Sequence, residues 1–119
     1  MDQDIHFQHK TAFATGAVTT YFRVPYRCTV RDVNAIVQAD PGDDETITVT
    51  YEPTVGGDST AIGTLTFGND ISAGAIASWT ANTSTGDTVI DEGGFLKMVT
   101  SAAAEADCDV DIELDPYAR

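Results

Sequence analysis

The sequence predicts a single all-β domain, a sandwich or barrel of about eight short antiparallel strands. Three observations carry this expectation. Apolar and β-branched residues recur with a period of two, as they do when alternate side chains of a strand face a core. Clusters of Gly, Asn, Asp and Pro interrupt these runs roughly every 8–12 residues. No segment sustains the 3.6-residue period of a helix. With 119 residues and a hydrophobic content of 42%, the chain has the size of one domain and enough apolar side chains to fill a core unaided.

The strands follow in order. Ile5 to Phe13 reads as an opening strand or arm, so that residues 1–17 are set apart from a sandwich over 18–119. Val18 to Val24 comes next, then Thr29 to Ala39 after the break at Pro25. Thr46 to Tyr51 alternates Thr with Ile47, Val49 and Tyr51. Thr60 to Phe67 carries Ile62, Leu65 and Phe67, whose parity changes at Gly63 as a β-bulge would require. Ala75 to Ala81 holds Trp79, and Thr88 to Thr100 is interrupted by Gly93-Gly94. The clearest strand is the last. Cys108, Val110, Ile112 and Leu114 alternate with Asp107, Asp109, Asp111, Glu113 and Asp115, giving one apolar and one charged face. A helix would instead set like charges four apart. Ser101 to Ala106 is the best helical candidate, and it spans one turn at most. The connections, such as Asp40-Pro41-Gly42-Asp43-Asp44 and Gly56-Gly57-Asp58, are built of turn residues.

Charge narrows the partners. Six Lys and Arg face nineteen Asp and Glu, a formal net charge of −13. Affinity for nucleic acid comes largely from cations that neutralise phosphates, so neither nucleic acid nor an anionic membrane surface is expected as a partner. No apolar run approaches the ~20 residues of a membrane span. Met1-Asp2-Gln3-Asp4 is acidic with no apolar stretch behind it, so no signal peptide is expected.

Catalytic and metal-binding patterns are weak. His6 and His9, the only histidines, fall on opposite faces of a strand and have no Cys or carboxylate cluster at metal-ligand spacing. No G-x-S-x-G, GxGxxG or GxxxxGK[ST] pattern occurs. Nineteen acids make paired carboxylates uninformative about glycosidase chemistry. The expectation is a protein without catalytic residues, resident metal or cofactor. Asp40, Asp43, Asp44 and Glu45 could offer oxygen ligands to calcium, although without EF-hand spacing, and acidic turns ordinarily stay solvated. Cys28 and Cys108 read either as buried apolar thiols or as one disulfide in an oxidising compartment.

The cations are more informative. Arg23, Arg27 and Arg31, half of all the basic residues, fall within nine positions that also hold Tyr26, next to Tyr21 and Phe22. Arg and Tyr are enriched at protein–protein hot spots, so Tyr21, Phe22, Arg23, Tyr26, Arg27 and Arg31, with Phe7 and Phe13 of the opening strand, form a candidate contact surface. The same arginines could instead neutralise nearby acids, such as those of the last strand.

The succession YFRVPYRCTVRDVNAIVQA, ETITVT, AIGTLTF and GDTVI, ending in an alternating strand, resembles a group of small structural proteins of tailed bacteriophages, the head decoration or cement proteins. In that group a V-P-Y-x-C-T-V segment, a TITVT strand, an IGTLT strand and a GD-x-I turn recur in this order. The resemblance covers Tyr21 to Leu114; the opening strand has no counterpart, and Gly93-Gly94 interrupts a strand that is usually continuous. It implies a jelly-roll-like sandwich and a virion subunit that assembles in the host cytoplasm. Such a subunit binds the major capsid protein on the capsid exterior, bridging shell subunits. A homo-oligomer is expected, a trimer before a dimer. The alternative is a receptor- or carbohydrate-binding module of a fibre or tail, with Trp79 and Asn82, or Tyr51 and Glu52, as its aromatic platform.

Overall fold

The computed structural model describes residues 5–84 and 88–116, and every regular element among them is a strand. The strands are β1 (Ile5–Phe13), β2 (Thr19–Arg23), β3 (Cys28–Val37), β4 (Thr46–Glu52), β5 (Thr60–Thr66), β6 (Ser78–Ala81), β7 (Phe95–Thr100) and β8 (Ala106–Pro116). They form two antiparallel sheets, β1-β8-β3 and β2-β7-β4-β5-β6, packed face to face as a sandwich. The pairing nests. β1 meets β8, β2 meets β7 and β4 meets β5, while Ile36 of β3 bridges Ile76 just before β6. β6 itself pairs with β5, so the edge of the five-stranded sheet lies over the end of β3 and helps close the sandwich.

Alternation decides which side chains enter the core. On β8, Cys108, Val110, Ile112 and Leu114 are buried and the carboxylates between them point outward. Phe13 of β1 meets Phe67, just past the end of β5, edge-on with ring centroids 5.7 Å apart, and so pins the two layers together. Each such aromatic or aliphatic side chain contributes on the order of 1.5–3 kcal/mol by leaving water.

Three departures from strict alternation shape the sheets. Ile5 to Phe13, expected as an opening strand or arm, is the strand β1, registered along its whole length with β8. A bulge in β3 between Val30 and Asp32 shifts the inward set from Cys28 and Val30 to Val33, Ala35 and Val37. The bulge foreseen near Gly63 lies at Ile62, which faces no partner between the pairs Val49–Gly63 and Thr50–Ala61. Gly63 itself is dictated by packing, since a Cβ there would stand 2.4 Å from the Trp79 ring. The expected strand over 88–100 is divided: Ile90 bridges Cys28, a turn follows, and β7 starts at Phe95. The stretch 101–105 forms no helical turn. Its amides bond instead to distant carbonyls, Ala103 N to Ala14 O at 2.7 Å and Ala104 N to Pro41 O at 3.0 Å.

Candidate binding faces

Side chains of directly opposed residues share a face, so the registers yield the two outer surfaces row by row. Across the five-stranded sheet one row reads Thr19, Val99, Thr48, Thr64 and Thr80. The next reads Tyr21, Lys97, Thr50 and Ala61, and the third Arg23, Phe95 and Glu52. Glu52 is the one acid in these rows and is only 3% exposed. Its Oε2 meets Lys97 Nζ at 3.3 Å and its Oε1 accepts the Gly56 amide at 2.9 Å. Tyr21 stands edge-on to Phe95, centroids 6.2 Å apart. Arg23 is exposed and makes no ion pair among the described residues. This face is therefore a field of hydroxyls and methyls with an aromatic, cationic margin.

The three-stranded sheet is its opposite. Its rows are His6, Glu113 and Asp32; Gln8, Asp111 and Asn34; Lys10, Asp109 and Ile36. The carboxylates of β8 occupy the middle and draw basic side chains from both sides. Lys10 Nζ lies 3.1 Å from Asp109, His6 Nδ1 lies 2.9 Å from Asp111, and Arg31 Nε lies 3.4 Å from Glu113.

The candidate contact residues are thus divided. Arg23 and Tyr21 belong to the five-stranded face, Arg31 to the acidic one, and Arg27 lies between them with Nε 3.7 Å from Asp91. For Arg31 the neutralising role is the one the geometry displays. Phe13 and Phe22, 1% and 7% exposed, are core residues and present no surface to a partner in this fold. Phe7 packs half-buried against Phe22 at 5.1 Å, and Tyr26 is half-buried with its hydroxyl lacking a partner. Burial raises the Tyr26 hydroxyl above its ordinary pKa, with the nearby Cys28 adding to the effect. Tyr21, Phe22 and Tyr26 are close in sequence but do not share a surface, because alternation turns Phe22 inward.

The remaining candidates resolve on geometry. Cys28 lies opposite Pro116 and Cys108 opposite Val37, at the two ends of the β3–β8 pair. Eight residues along β8 separate these positions, about 26 Å at strand rise, far beyond the ~7 Å that a disulfide tolerates. Both thiols are free and buried, which pushes Cys28 up to about 11 and Cys108 up to about 12. In the acidic turn, Asp40 accepts the Gly42 amide, Asp43 the Asp70 amide and Glu45 the Ser101 hydroxyl. Those carboxylates serve the turn, and no group of three metal-ligating side chains gathers among the described residues. Trp79 leans over Gly63 against the core, while Tyr51 is buried with its hydroxyl accepting the Asp91 amide at 3.4 Å. Neither ring forms an exposed platform.

Sequence reasoning missed the threonine rows, the Phe95–Lys97 margin and the adjacency of Ile36 and Ile76. The alternating threonines of TITVT and TLT were the visible signal, but only the registers align them. Set against models of protein families, curated proteins and solved structures, the chain matches none.

Proposed function

We propose that this protein is a virion structural subunit, a decoration or cement protein that binds the outer surface of a bacteriophage capsid and bridges its shell subunits. One observation supports this reading above the others: in a chain of net charge −13, one face of the sandwich is almost free of acid and carries along one margin Tyr21, Phe95 and Arg23, which makes no ion pair among the described residues. That face suits broad contact with a protein surface. Arginine meeting shell carboxylates gives charge-assisted, bidentate pairs, and tyrosine adds area at low entropic cost. A subunit that binds the assembled lattice and not free shell subunits stabilises the lattice by mass action. The major capsid protein is the partner in this reading, the site is the capsid exterior, and a trimer about a threefold position is the preferred oligomer, with a dimer second. No catalytic step is part of it. The reading rests on the motif resemblance and on the character of the two faces, since sandwich folds serve many functions.

The test is add-back to tailed-phage heads lacking the protein. Arg23→Glu should lower occupancy about tenfold or more, as for a hot-spot arginine, whereas Arg31→Glu should leave it nearly unchanged. Equal binding by wild type and folded Arg23→Glu would remove this face from the contact. Failure of the wild type to bind would remove the capsid reading.

A further inference from the structure

A groove of about 490 Å³ crosses the acidic face, on the side away from the proposed shell contact. β8 is its floor, with Asp109 and Asp111; Lys10 of β1 forms one wall and Ile36 of β3 the other. The walls are two strand spacings apart, roughly 10 Å, the width of one extended chain. Ile36 is 41% exposed, and its bridge partner Ile76, on the same side, is 67% exposed. Of the four large apolar side chains exposed among the described residues, these two adjoin, whereas Tyr21 and Val55 lie elsewhere. The groove thus sets carboxylates beside Ile36, and Ile76 adjoins Ile36 just outside it. A second copy presenting this same face would bring carboxylate to carboxylate, which opposes association. A lysine or arginine matches both features, with its charged head at the carboxylates and its methylene stem along the isoleucines.

We propose that this groove docks an extended segment of a partner protein in which a lysine or arginine is flanked by aliphatic side chains. The cation is held chiefly by Asp109, in competition with Lys10 at Oδ1 and Gln38 at Oδ2 and within the field of Asp111, whose Oδ2 meets His6; its stem and neighbours cover Ile36 and Ile76. Under the capsid reading, this is the second contact that a bridging subunit needs, so the identity of the partner rests on that reading. The groove itself does not, and its test contains no particle.

The full chain, isotopically labelled for NMR, is titrated with the peptide acetyl-Gly-Ile-Lys-Ile-Lys-Gly-amide and with its counterpart carrying Glu for Lys. Amide shifts with the lysine peptide are expected to concentrate at Asn34, Ile36, Ile76 and Asp109 to Asp111, and to be absent with the glutamate peptide. Asp109→Asn with Asp111→Asn should weaken binding about fivefold, the sum of two exposed charge pairs. Ile36→Ser with Ile76→Ser should weaken it as well. Lys10→Ala, which frees Asp109 from its own ion pair, should tighten it. Asp58→Asn with Glu92→Gln, equal in charge change and set at the Cys28–Ile90 end of the sandwich, away from the Val37–Cys108 end that holds the groove, should have no effect. Absent shifts, shifts spread evenly over all acidic surfaces, or equal weakening by the distant pair would overturn the proposal. Peptide binding together with failed add-back would remove the capsid reading and leave the groove standing.

Discussion

His9 sits on the inner side of β1 with its ring edge-on to Phe22, centroids 4.4 Å apart, and its Nε2 is buried without a hydrogen-bond partner. Burial lowers its pKa below the ordinary 6.5, because the imidazolium would lose its hydration there. In the unfolded chain the ring protonates below about 6.5 while the folded chain resists, so its contribution to stability is complete above that pH and is lost on acidification. Urea melts at pH 7.5 and 5.5 should therefore show a smaller acid loss for His9→Phe than for wild type. An identical loss in both would show that His9 does not titrate against folding. The thiols behave in the opposite sense. Cys28 at about 11 and Cys108 at about 12 hold their protons in the fold while the unfolded chain releases them from about 9 upward. Their contribution is intact below pH 9 and disappears as pH rises through 11 to 12. At pH 8 both should resist iodoacetamide in the folded protein, and both should be alkylated in urea without reductant. A mass two hydrogens lighter that persists in urea would contradict the geometry.

At the scale of elements, β8 is the strand on which the fold turns, paired on both sides and facing the core with every second residue. Ile112 is fully buried between sheets. Ile112→Asp should cost more than about 4 kcal/mol, since an unpaired carboxylate replaces packed hydrocarbon. Asp111→Asn should change stability by less than about 1 kcal/mol in a urea melt, although for a reason the alternation alone does not supply. Its carboxylate is not simply solvated: one oxygen receives His6 at 2.9 Å and the other is buried without a partner. An amide loses part of the first interaction and relieves part of the second problem. Comparable destabilisation by the two variants would mean that the faces of β8 are misassigned. The face of each β8 residue was legible in the sequence because alternation is a local property. The β3 bulge was not: Cys28 and Val30 followed by Val33, Ala35 and Val37 is a change of parity that only a partner strand turns into a bulge.

For the whole molecule, the −13 charge is distributed unevenly, concentrated on β8 and in the turns and nearly absent from the five-stranded face. Self-repulsion in the compact state should be relieved by salt, whose screening length falls from about 30 Å at 0.01 M to about 10 Å at 0.1 M. Thermal melts at pH 7.5 should thus rise in Tm as NaCl goes from 10 to 100 mM, and Asp107→Asn with Asp115→Asn should reduce the rise. A Tm independent of salt would mean that Lys10 and Arg31 already balance the face. The same distribution gives the two faces different partners in the proposed readings, and it could not be summed from composition.

What the sequence determined by itself was everything that depends on near neighbours. The all-β class, the position of most strands, the inward set of β8 and the turn chemistry all follow from a period of two and from Gly, Asn, Asp and Pro. Tertiary structure decided what depends on register between strands far apart in the chain. It paired the opening strand with β8, turned Phe13 and Phe22 into core, and sent Arg23 and Arg31 to opposite faces. It also placed the two cysteines at opposite ends of one strand pair. The physical reason is that a side chain's face is fixed locally by the pleat, but its neighbours on that face come from strands whose alignment is settled by the packing of the whole core.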